Sequence, residues 1–152
     1  MDSVKRIAVV LAILVAGFVT AASASATTTI IEPPGSHFPY QRWVDEAKVP
    51  TPAGSIPVIE STLECGVPDL GCTDGATIWV DMVGGKATFL HELGHVFAFQ
   101  HPELAAFENE RFADSYSLCA RLHRIAPAWN YLNDGGIRGS RLRKICRLIR
   151  AH

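Results

Sequence analysis

Neither sign of charge prevails in this chain: 152 residues carry 14 Lys and Arg against 15 Asp and Glu. Bulk charge therefore draws it toward no nucleic acid. Internal repeats and low-complexity tracts are absent, which excludes solenoid, collagen-like and disordered chains. The four cysteines lack paired C-x-x-C knuckles, so a four-cysteine zinc site fits poorly. None of them stands at the end of the apolar N-terminal run, and a lipid-anchored lipoprotein is not indicated. What is present, 48% hydrophobic residues, is the composition of one ordinary globular domain.

The chain opens on Lys5 and Arg6, followed by an uncharged run from Ile7 to Ile31 whose centre is strongly apolar. That run ends in small residues with Ala-x-Ala sites at Ala24 and Ala26, the pattern of a secretory signal peptide over residues 1–26. The mature chain, residues 27–152, is then expected to be exported; an uncleaved segment would anchor it to the membrane instead. Outside the cytosol an even set of cysteines reads as disulfides, with three connectivities open. The favoured pairs are Cys65 with Cys72, which closes the turn-rich CGVPDLGC loop, and Cys119 with Cys146, which tethers a basic C-terminal helix.

Residues 27–75 hold seven of the nine prolines and read as short strands and turns. TTTII and IPVIE are strand candidates, and YQRWVDEAK is a helical turn or two. This stretch is either an inhibitory pro-segment or part of the fold. From Ala76 the signal sharpens. ATIWVDM is a β-branched and aromatic strand ended by Val83-Gly84-Gly85, and KATFLHELGHVFAFQ is a helix apolar on most sides, hence buried. In it Phe89, Leu90, Leu93, Val96, Phe97 and Phe99 are the apolar set. ENERFADSYSLCARLH forms a second helix opened by acids, starting near Ala105 or Ala106, with Phe112, Tyr116, Cys119 and His123 in one stripe. Pro127 closes it. After the turn NDGG, residues 139–150 form an amphipathic helix through Leu142, Ile145, Cys146 and Ile149. Trp79 and Trp129 read as core. The fold class is α+β: a small sheet with two antiparallel helices.

Within the buried helix, HELGH spans residues 91 to 95. His91 and His95 lie one turn apart on the same face and can give two nitrogens to one zinc. Glu92, about a hundred degrees round the helix, can reach water at the metal as a general base rather than a ligand. Three ionisable groups in an apolar helix would be costly to bury without such a purpose.

A catalytic zinc needs a third protein ligand and an open position, and two residues compete for that role. Glu110 lies at a similar rise back along an antiparallel helix. Ala113 is small enough to let the helices approach, and Asp114 can orient a ligand histidine. His101 stands six residues beyond His95, the metzincin spacing, but Ala98 occupies the position of that pattern's glycine, and the only methionines, Met1 and Met82, leave no methionine turn. His101 also suits the C-terminal end of the helix.

HELGH followed by Glu110-x-x-x-Asp114 resembles the gluzincin branch of the zincin metallopeptidases. HELGHVFAFQ with ERFADSYSLCARL is similar to small secreted bacterial zincin-like proteins. The resemblance covers residues 76 to about 123 and implies His91, His95 and Glu110 as metal ligands and Glu92 as base. It also implies a minimal zincin-like domain, with ATIWVDM, the strand before the active-site helix, as an edge that pairs with extended peptide; an interior strand is the alternative. Fourteen residues separate His95 from Glu110, a tighter loop than in thermolysin-like enzymes.

The expected activity is hydrolysis of a peptide or protein substrate by a secreted, monomeric zinc metallopeptidase with a shallow cleft. The alternative is a non-catalytic exported zinc-binding protein that acts by binding. Tyr116, His123 and Tyr131 are candidate donors to a tetrahedral intermediate. Residues 121–152 carry eight basic residues and one acid, read as a solvated face, with an anionic envelope partner as the sharper alternative.

Overall fold

The computed structural model describes residues 27–66, 69–107, 110–121 and 139–152. The export segment at residues 1–26, the NDGG turn, Pro127 and the side chains of His123, Trp129 and Tyr131 lie outside the described residues. The rest is an α+β arrangement of four strands and four helices.

TTII alternates inward and outward side chains as β1 (Thr28–Ile31), the period-2 pattern of a half-buried strand. The YQRWVD turn forms α1 (Tyr40–Asp45), and the alternating GSIPVI segment forms β2 (Gly54–Ile59), parallel to β1. β3 (Gly71–Thr73) and β4 (Ile78–Val80) complete a sheet of order β1-β2-β4-β3 in which β4 runs parallel to β2 and antiparallel to β3. An aspartate turn follows: the Val83 and Gly84 N–H groups donate to the side chain and backbone of Asp81. It launches α2 (Gly85–Gln100), with Gly85 at φ 60°, a backbone region that favours glycine. α3 (Glu110–Arg121) packs along α2, and α4 (Gly139–Ile149) along α3.

One core joins these layers. Ile56, Val58, Ile78 and Val80 from the sheet meet Phe89, Leu90, Leu93 and Val96 of α2, all nearly inaccessible to solvent. Tyr40 of α1 lies against Phe89, ring centroids 5.0 Å apart. The proline-rich stretch is therefore part of the fold: it supplies three of the four strands and the buried Tyr40, Val44 and Ile56. Both favoured disulfides are present, Cys65–Cys72 and Cys119–Cys146. They are compatible with an extracellular protein. No helix among the described residues is long and apolar enough to cross a membrane.

Four expectations are corrected. β4 is an interior strand, because the unforeseen β3 covers its outer side with Cys72 opposite Trp79. β4 therefore offers no edge to a peptide. α3 starts at Glu110 rather than near Ala105: Pro102–Phe107 forms a tighter 3₁₀ turn, with Leu104 buried and its N–H donated to the His101 carbonyl at 2.8 Å. Phe99 is 52% exposed and lies over Gly75, where an added Cβ would come within 2.9 Å of its ring. Trp79 is only half-buried, its side chain alternating with those of the buried Ile78 and Val80.

Candidate metal centre

The 16 residues of α2 place His91 and His95 one turn apart, and their rings lie 5.0 Å apart, edge to face. Facing them, α3 runs in the opposite direction. Glu110 reaches both histidines, Asp114 meets His91, and Ser117 donates to the Ala87 carbonyl at 3.0 Å. Rising along one helix thus descends the other. Such close approach has a cause in the sequence. An added Cβ on Gly94 would stand 2.8 Å from Tyr116 Cβ and 3.1 Å from Ala113 Cα. The glycine of HELGH and the fully buried Ala113 together set the spacing at which a glutamate on α3 reaches two imidazoles on α2.

Glu110 Oε2 is 3.0 Å from His91 Nε2, and Glu110 Oε1 is 3.4 Å from His95 Nε2. One ligand atom from each of the three residues lies within 4.8 Å of the others. Ligand atoms around a tetrahedral zinc, bonded at about 2.0–2.2 Å, sit roughly 3.3 Å from one another. The two imidazole–carboxylate distances are close to that spacing, so His91, His95 and Glu110 are a donor set that could hold a zinc ion. His91 Nδ1 is 2.8 Å from Asp114 Oδ1, so its N–H donated there leaves Nε2 facing the other two donors. This is the outer hydrogen bond that fixes a ligating histidine in one tautomer.

Burial shapes the electrostatics. His91 is 3% exposed. Burial alone would lower its pKa, but hydrogen bonds to the Asp114 and Glu110 carboxylates outweigh that and raise it to about 9. The same contacts, from His91 first and then His95, hold the Glu110 carboxyl far below the usual carboxylate range. A metal ion bound at His91 would therefore have to displace that proton. Glu92, also 3% exposed, is raised to about 7, chiefly by loss of solvent; the two histidines oppose this, while Glu110 and Asp69 add to it. A carboxyl so tuned takes up and gives back a proton near neutral pH.

Edge strand β3 passes beside that carboxyl. A Cβ added to Gly71 would meet Thr88 Cγ2 at 2.7 Å and Glu92 Cγ at 3.2 Å, so only glycine lets the strand lie this close. No local pattern marks Gly71; for Gly94 the sequence signal is a glycine inside HELGH with the small Ala113 on the following helix.

The structure brings together His91, His95, Glu110 and Asp114, with Glu92 on the neighbouring flank of α2. It does not bring His101 to them: its Nδ1 pairs with Glu103 Oε1 at 3.0 Å. Nor is Tyr116 an available donor. Its hydroxyl is buried and donates to the Pro50 carbonyl at 2.8 Å. No family model, curated protein or solved structure matches this chain. The centre stands on its own geometry.

Asp114→Ala is expected to weaken zinc binding by about 10- to 100-fold, measured by competition with a chromophoric chelator. An unchanged affinity would mean that His91 is oriented without it.

Proposed function

We propose that this chain is a secreted zinc-dependent peptidase, with His91, His95 and Glu110 holding the metal and Glu92 as general base. The observation that carries the reading is the desolvated carboxyl of Glu92, tuned toward neutrality beside a set of two imidazoles and one carboxylate. Export follows from the N-terminal apolar run with its Ala-x-Ala sites, and the two disulfides agree with it.

When bound, zinc supplies Lewis acidity, polarising a peptide carbonyl and lowering the pKa of water toward neutrality. The side chains do the rest. Asp114 keeps the Nδ1 proton on His91, and Glu110 closes the donor set from the second helix. Glu92 accepts the proton of the attacking water and returns it to the departing amine as the C–N bond breaks, so that it ends as it began. β3, whose only strand partner among the described residues is β4, takes over the role first expected of β4: an extended substrate can add to its outer side, beside Glu92.

The competing reading, a non-catalytic zinc clamp, needs a fourth protein donor. His101 was the candidate, and its pairing with Glu103 favours the open, catalytic arrangement. The test is cleavage of casein and of a mixed decapeptide library, read by mass spectrometry. Purified protein is expected to cut, to stop in 1,10-phenanthroline and to recover with added zinc. Tight zinc binding without any cleavage would assign the chain to the binding class.

A further inference from the structure

Beyond the end of α2, a second group of donors converges. His101 Nδ1 and His152 Nδ1 both lie 3.0 Å from one oxygen, Glu103 Oε1, and one ligand atom from each residue lies within 4.8 Å of the others. The imidazole centroids are 5.1 Å apart. We propose that His101, Glu103 and His152 form a second divalent-cation site, of the class that takes zinc, which ties the segment after α4 to the C-terminal end of α2.

Three observations support it. The first is chemical: two imidazoles and a carboxylate are donors suited to zinc, and spacings of 3.0 Å are within a few tenths of the roughly 3.3 Å expected between ligands of a tetrahedral ion. The second is that each arm is held without the ion. His101 caps α2, its N–H donated to the Ala98 carbonyl at 3.1 Å, and its ring lies 4.3 Å from that of the buried Phe97. On the other arm, α4 is fixed by the Cys119–Cys146 disulfide and the fully buried Ile149, and the Arg150 Nε–H donates to the Lys48 carbonyl at 3.3 Å. A preformed site costs little ordering when the ion arrives. The third is exposure. The side chains are 27%, 51% and 21% exposed for His101, Glu103 and His152, which leaves the remaining coordination positions to solvent and gives the ion a path in.

The site is separate from the first. His95 and His101 are six residues apart, a rise of about 9 Å along a helix, and the two groups share no residue. With three protein donors and open positions it is a solvent-accessible cation site and not a closed structural one, and the inference does not rest on the peptidase reading.

The test is metal stoichiometry by atomic emission after equilibrium dialysis of residues 27–152 against zinc chloride in a weakly chelating buffer. Wild type is expected to hold two equivalents, His91→Ala/His95→Ala one, His101→Ala/His152→Ala one, and the quadruple variant none. His152→Ala alone lies beyond the last helix and is a variant that cannot unfold the core; it is expected to lose the same single equivalent. In the His91→Ala/His95→Ala background zinc should also raise the melting temperature, and His152→Ala should abolish that rise. A single equivalent in wild type, lost only with His91 and His95, overturns this site and leaves the first intact. Two equivalents that persist in His101→Ala/His152→Ala overturn it as well, because the second ion then lies elsewhere. Loss of one equivalent only with His101 and His152 would instead remove the first site and keep this one.

Discussion

Glu92→Gln is expected to retain zinc while peptide hydrolysis falls by roughly 10²- to 10⁴-fold, the usual contribution of a positioned general base. Glutamine has the same shape and can still hydrogen-bond, but it cannot accept a proton at the pH where Glu92 can. The carboxyl is 3% exposed and raised to about 7 mainly by burial. The neutral amide therefore avoids a desolvation cost, and the variant should fold at least as well as wild type. Zinc retention separates this outcome from site collapse: His91, His95 and Glu110 are untouched, so stoichiometry at the first site should not change. Steady-state rates and bound zinc measured on the same preparation check both halves. Equal hydrolysis in the variant would remove Glu92 as the base, and joint loss of zinc and activity would make it a ligand or a structural group.

The parts of this molecule that local sequence specifies were legible, and those that depend on distant partners were not. HELGH fixes two imidazoles at i and i+4 on any helix, so His91 and His95 needed no tertiary knowledge. Glu110 and Asp114 could be placed because an antiparallel return of known rise brings i and i+4 of the second helix level with the first. The placement survived an error in where α3 begins, since the 3₁₀ turn at Pro102–Phe107 absorbs the difference. β3 has three residues, too few for any periodicity. Its existence is set by pairing with β4, and that pairing made ATIWVDM interior instead of an edge. Tyr116 sits in a stripe that signals burial; that its hydroxyl finds the Pro50 carbonyl, 66 residues away in sequence, is written in no local pattern. The same holds for His152, which meets Glu103 only because a disulfide and Ile149 anchor the last helix.

Gly94→Ala tests whether helix spacing, and not the ligand residues alone, makes the metal centre. In an isolated helix this change would stabilise by about 0.5–1 kcal/mol, since alanine restricts the unfolded chain and favours helix. Here the new methyl group would stand 2.8 Å from Tyr116 Cβ and 3.1 Å from Ala113 Cα. Neither is the free end of a flexible side chain, so α3 itself must move out. Overpacking of this kind costs about 1–3 kcal/mol, and the net result is expected to be a loss of about 1–2 kcal/mol, or roughly 4–8 °C in melting temperature for a domain of this size. α3 carries both Glu110 and Asp114, so the same displacement draws a ligand and its orienting partner away from His91 and His95. Zinc affinity should therefore fall by about tenfold or more, at the scale of losing an outer hydrogen bond, although no residue that touches the ion has been altered. Trimming the Tyr116 ring should not rescue it, because the clash is with Cβ and with the Ala113 backbone. Unchanged stability and unchanged zinc affinity in Gly94→Ala would mean that α3 does not sit against α2 at this distance. Glu110 would then lose its claim as the third donor.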